Sequence, residues 1–374
     1  MAVSRGGGAV IPRRFAVVAA VLVLGGSVAA CSDATDRSHD QAQSTHSVSG
    51  AVWVANEGAD SLAVVDAAAS TVVTTVVGIP KPHNVQLSRD GMVAYVLSTN
   101  TNAVVAIDTA TYRVSALAAT GAEPAHVIEA PNGKIYVTNA ADGTVSVYRA
   151  PGLTALGGID LGGMPHGLRP AADGSIVVVA NTMAGRLDLI DPKTDRVVGT
   201  VHVGNGPAQV AVTADGHYAY SGITQPPAVV KTDLIARKVV GVAPVPAPPV
   251  QVYLTPAQDE LLSADQGTVQ RPGHTVSVID TATMSTRGTV TVGSGPHGVV
   301  INTSGTRAWV TNTFDDTVSV IDLDTLLVQA TVPGGNEPNG ISFSPRPPAP
   351  AAAATTTVHL PSPGGQSSPH DHHH

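Results

Sequence analysis

The chain has 374 residues, 43% hydrophobic, 13% charged and only 3% aromatic, with a formal net charge of −8. An acidic chain without a Lys/Arg cluster offers no footprint for phosphates, so nucleic acid is excluded as the expected partner. The single cysteine, Cys31, rules out an intrachain disulfide and a cysteine-based metal site.

From the N-terminus, Arg5, Arg13 and Arg14 precede an apolar run from Phe15 to Ala30, which reads as a signal peptide over residues 1–30. Val28-Ala29-Ala30-Cys31 resembles a bacterial lipobox, in which the cysteine becomes the lipidated first residue of the mature protein. The alternative, a membrane-spanning anchor, needs ~20 apolar residues and basic flanks that this run does not supply. Loss of the leader removes three arginines and no acids, leaving 17 basic against 28 acidic residues, a charge of −11. The expected location is therefore extracytoplasmic, with a bacterial cell-envelope protein held to the membrane by lipid on Cys31. Residues 31–48, rich in Ser, Asp, Gln and His, read as a flexible tether.

Residues 49–345 carry a repeat. A proline opening a valine-rich run recurs at Pro82, Pro124, Pro165, Pro207, Pro249, Pro296 and Pro338, in steps of 42, 41, 42, 42, 47 and 42 residues. Each unit reads as four short strands, seen most clearly in Pro296–Ile301, Arg307–Asn312, Asp316–Asp322 and Leu326–Val332. Alternating Val and Ile with polar residues favours half-buried strands, and Asn/Asp/Gly connections such as 139–143 and 312–316 signal hairpins. A period of about 40–45 residues with four strands per unit predicts an all-β, seven-bladed β-propeller. Three strands precede Pro82 (Val52–Asn56, Leu62–Asp66 and Thr71–Val77) but only Gly340–Ser344 follows Pro338, so N- and C-terminal strands are expected to build the last blade together.

Tyr136-Val137-Thr138-Asn139, Trp309-Val310-Thr311-Asn312 and Trp53-Val54-Ala55-Asn56 resemble the repeat of the YVTN family of seven-bladed propellers, over about residues 50–345. The resemblance implies the fold, whereas the family hosts binding proteins, enzymes and proteins without a known ligand. Blades 4 and 5 depart from the phrase at Ser221-Gly222 and Leu262-Ser263, and Tyr148 stands where a strand-end aspartate is expected.

The prolines and the Asn/Gly hairpins share one mouth of the central channel. His83, His166 and His297 each follow the anchor proline in blades 1, 3 and 6, close to three-fold spacing around the ring. Three imidazoles aimed at one axis could hold Zn²⁺ or Cu²⁺. His126 lies one residue further along and by strand alternation faces elsewhere unless the turn re-aims it. The bland alternative is that these rings pack on neighbouring blades and bond loop carbonyls.

Blade 5 is five residues longer than its neighbours, and the extra length falls in the hairpin 265–274, making Asp265, Arg271 and His274 candidate rim contacts. Glu123 and Glu337 stand just before anchor prolines. Asp66, Asp108, Asp191, Asp233, Asp280 and Asp322 read as caps of their own turns on the opposite face. Residues 346–374 read as a disordered Pro/Ala/Thr-rich tail ending in His370, His372, His373 and His374, a weak chelating segment. This architecture with a His-rich tail is similar to that of secreted propellers acting as periplasmic zinc chaperones. No nucleophile elbow, phosphate-cradling loop or paired carboxylate appears. The expected role is a monomeric binding or scaffold protein for a metal, small ligand or envelope partner. The competing reading is a metal-assisted hydrolase or lyase of the lactonase or streptogramin-lyase kind.

Overall fold

The computed structural model describes residues 48–351 and 353–360. They form seven sheets, six of four antiparallel strands and one of five, and the inner strands touch one another in cyclic order so that the last meets the first. This is a seven-bladed propeller. Blades 1 to 6 open with the inner strands Pro82–Leu87, Pro124–Glu129, Pro165–Pro170, Val210–Val212, Val252–Leu254 and Pro296–Ile301. The seventh pairs Pro338–Ser344 with Ala51–Asn56, followed by Ser61–Asp66 and Thr71–Val77. The two chain ends thus close the ring in the same sheet, with Val54 opposite Ile341.

Stability lies between the blades. Among the described residues there are seven apolar clusters, one at each blade interface. The period-two pattern explains how: on one strand Trp53 and Ala55 face blade 1 while Val52 and Val54 face blade 6. Each blade is therefore buried on both faces, which is why its strands read as nearly continuous apolar runs.

The strand-end aspartates cap their turns as expected. Asp66 Oδ1 accepts from the Ala68 and Ala69 N–H groups, Asp233 Oδ1 from Ile235 and Ala236, and Asp280 Oδ1 from Ala282 and Thr283. In blade 2 the register corrects the sequence reading. Arg149, paired with Lys134, takes the strand-end place, and Tyr148 is a buried residue whose hydroxyl donates to Ala119 O.

The expected disordered tail is also corrected over its first part. Thr355–Thr357 adds a fifth, parallel strand to the outer edge of blade 7, with Val358 buried and Tyr112 Oη donating to Ala349 O at 2.8 Å. A Pro/Ala/Thr composition has no periodicity to announce a strand; the open edge of Thr71–Val77 supplies the template. A chain ending at Pro345 is expected to lose roughly 2–3 kcal/mol, the burial of one valine side chain with its edge bonds. A lower denaturation midpoint against a chain ending at Leu360 would show it, and equal midpoints would refute it. The expected leader, Cys31, nearly all of the tether and the terminal histidines lie outside the described residues.

Candidate metal centre

The inner strands position the site. In blades 1, 2, 3 and 6 the pairing slips just after the anchor proline, between Pro82 and Asn84, Pro124 and Val127, Pro165 and Leu168, and Pro296 and Val299. Such a bulge inserts a residue and re-aims its neighbours. His126, one place further along than its counterparts, is therefore turned to the same side as His83 and His166. One ring nitrogen from each of His83, His126 and His166 lies within 4.8 Å of the others. Their ring centroids are 4.9 to 6.0 Å apart, all in edge-on arrangements.

This corrects the expected trio. His297 is not in the cluster, because the three rings come from adjacent blades 1, 2 and 3 rather than from a three-fold set across the channel. His297 is half-buried nearby, and its buried Nδ1 has no hydrogen-bond partner among the described residues.

The ring orientations have identifiable causes. His83 Nδ1 is 2.9 Å from Glu57 Oε2, and Asn339 Nδ2 donates to the same oxygen at 2.7 Å. His166 Nδ1 donates to Ala208 O at 2.9 Å. Both contacts hold the proton on Nδ1 and leave Nε2 as a bare lone pair, the usual preparation of a metal-ligating imidazole. For His126, Gln209 Oε1 accepts from Val210 N, so the Gln209 amide nitrogen faces His126 Nδ1 at 3.2 Å. Coordination through His126 Nε2 would require that amide to turn away.

Electrostatics favour uncharged rings. Burial first, then the charge of His83, holds His166 down at about 4. Burial, followed by His83 and His166, holds His297 at about 3, and burial with the other histidines pushes His126 well below its ordinary value. Burial works to raise the Glu57 carboxyl, but the hydrogen bond and charge of His83, the Asn339 amide and Lys81 outweigh it and bring it to about 2. Glu57 is therefore a carboxylate at the edge of a cluster in which burial keeps His126, His166 and His297 uncharged.

Above the rings a cavity of about 450 Å³ opens, lined by Glu57, Lys81, His83, Glu123, Met164 and His166 among others. Lys81 and Glu123, the residues before two anchor prolines, have positive φ of 48° and 51°. Glycine fills that place at Gly206 and Gly295 with φ of 66°. The charged pair keeps a backbone cost of order 1–3 kcal/mol each that glycine avoids, a cost typical of functional rims.

A family model of YNCE-like β-propellers matches residues 104–225. The chain is a seven-bladed propeller, similar to that family over those residues. Solved structures agree on the fold. Hydrazine synthase from Kuenenia stuttgartiensis is 20% identical, with a TM-score of 0.65 over 71% of this chain and 90% of that one. A functionally unknown protein from Desulfotomaculum acetoxidans is 13% identical, with a TM-score of 0.68 over 80% and 100%. A candidate 6-phosphogluconolactonase from Bacteroides fragilis is 16% identical, with a TM-score of 0.68 over 80% and 99%. No curated protein matches the sequence.

The remaining expected contacts of this propeller fall elsewhere. Asp265 is fully buried and is no rim residue. It is the sixth residue of the second strand of blade 5, Glu260–Thr268, the place Asn139 and Asn312 hold in Lys134–Asn139 and Arg307–Asn312 of blades 2 and 6. There Asn139 Nδ2 donates to Thr144 Oγ1 and Ser146 Oγ, whereas Asp265 Oδ2 accepts from Thr275 Oγ1 and Ser277 Oγ. Arg271 and His274 are exposed on the third strand of the same extended hairpin, so only they remain as rim groups. Glu57 is the residue that sequence reading missed. Its position, directly after Asn56 at a mouth-facing hairpin, was the available signal.

Proposed function

We propose that the protein is an extracytoplasmic, lipid-anchored propeller that binds a divalent metal, Zn²⁺ or Cu²⁺, through His83, His126 and His166 at the channel mouth. The observation that carries this reading is three imidazole nitrogens within 4.8 Å of one another, beside a Glu57–His83 pair. Imidazole suits both ions, and a carboxylate behind one ring raises its basicity. Metal analysis and equilibrium titration of the purified protein test it: one tightly held ion per chain is expected, and no ion above the tail's weak chelation would refute it.

The 450 Å³ cavity over the rings gives an enzyme reading a foothold, since a substrate would fit beside a bound ion. The fold likeness to a candidate lactonase adds a substrate class to try. Metal-dependent turnover of lactones would replace the binding role with a hydrolytic one. For the anchor, Cys31→Ser is expected to release the protein from the membrane fraction; unchanged membrane retention would show that lipid on Cys31 does not hold it.

A further inference from the structure

The channel has a second mouth, about 10 Å further along the inner strands, three strand positions beyond the histidine level. There a cavity of about 410 Å³ opens on the opposite face. Of the seven residues standing four places after an anchor proline, Arg169 alone is charged, and Gln86, Ile128 and Tyr253 line the cavity with it.

Arg169 is held in place from two sides. Its Nη1 donates to Gln86 Oε1 at 3.2 Å, and its guanidinium carbon sits 5.3 Å from the centre of the Tyr253 ring. Among the described residues no carboxylate forms an ion pair with it. A guanidinium has five N–H donors in a planar fork, so most of its bonding capacity is left for a ligand, in a geometry already fixed by stacking. The fork matches a carboxylate, which it binds through two parallel hydrogen bonds. Leu87, Leu254 and Phe343 on the same walls offer apolar surface. Glu129 and Arg89, also on the wall, offset one another in charge, which leaves the one positive charge of Arg169 for a single carboxylate.

We propose that this lower cavity is a binding site for a small monocarboxylate with an apolar body, its carboxylate on the Arg169 fork and its body against Tyr253 and Phe343. The site is separate from the histidine cluster and does not depend on metal.

Saturation-transfer NMR and calorimetry on the full chain, with acetate, benzoate, 4-phenylbutyrate and neutral benzamide as probes, test it. Saturable binding is expected to strengthen from acetate to 4-phenylbutyrate and to be absent for benzamide. Arg169→Gln should weaken 4-phenylbutyrate by about tenfold or more, the loss of a charge-assisted pair. Arg169→Lys, which keeps the charge without the fork, should fall between, and His83→Ala, at the other mouth, should leave 4-phenylbutyrate affinity as in the wild type. Thermal midpoints of the variants confirm that they are folded. The proposal is overturned if no carboxylate binds up to about 10 mM, the weak end of specific affinity. Equal affinity in wild type and Arg169→Gln, or equal binding of inorganic phosphate, also overturns it.

Discussion

Joint replacement of His83, His126 and His166 by alanine is expected to abolish stoichiometric Zn²⁺ binding, while His297→Ala leaves it unchanged. The contrast follows from geometry: the first three rings bring nitrogens within 4.8 Å of one another, and the fourth stands outside that group. Neutral imidazoles are needed, and burial keeps His126 and His166 uncharged near pH 7. Glu57→Gln tests the carboxylate behind His83; loss of such a partner lowers metal affinity by about 10–100-fold. Calorimetric titration should use a chain ending at Leu360, which keeps the fifth strand of blade 7 but lacks the terminal histidines. Each variant's thermal midpoint shows whether it is folded. Equal affinity in wild type and the triple variant would reduce the cluster to packing, and loss on His297→Ala alone would restore the three-fold arrangement.

Asp265→Asn is expected to stabilise the protein at neutral pH, with an advantage that shrinks on acidification. Burial, only partly offset by hydroxyls of Ser277, Ser263 and Thr275, pushes the Asp265 carboxyl up from 3.8 to about 6. For an acid whose folded value lies above its unfolded one, the folded state binds more protons between the two. Stability therefore falls as pH rises from about 4 to about 6 and stays reduced above that. The difference amounts to about 3 kcal/mol at most. Asparagine carries no charge to bury, and at the matching place Asn312 donates to Thr317 and Ser319 hydroxyls at 3.0 and 2.9 Å. Hydroxyls can reverse from donor to acceptor, so the network survives the exchange. The buried histidines titrate in the opposite sense, losing stability as pH falls, but they are common to both proteins. The wild-type and variant midpoints should therefore diverge from pH 4 to pH 6. A constant offset across that range would place the carboxylate in a solvated setting instead.

The repeat, the blade number and the mixed last blade were legible in the sequence, because propeller packing imposes the same local demands seven times. Each interface needs two apolar strand faces, five of the seven inner strands start on a proline, and each strand-end aspartate caps its turn, so period and alternation carry the fold. The importance of histidines near the anchor prolines was legible for the same reason. Which of them meet was not. His126 joins His83 and His166 only because the pairing slips between Pro124 and Val127, and a bulge is visible in register, not in residue type. Glu57 is 26 positions from His83 and Asn339 is 256, so their junction exists only once the two chain ends close blade 7. Asp265 looked like a loop acid until its strand register placed it among buried hydroxyls, and residues 355–357 became a strand only because an outer edge was open beside them. Local periodicity determines what each blade is; ring closure and register decide which side chains share a site, because those contacts join positions that no local pattern links.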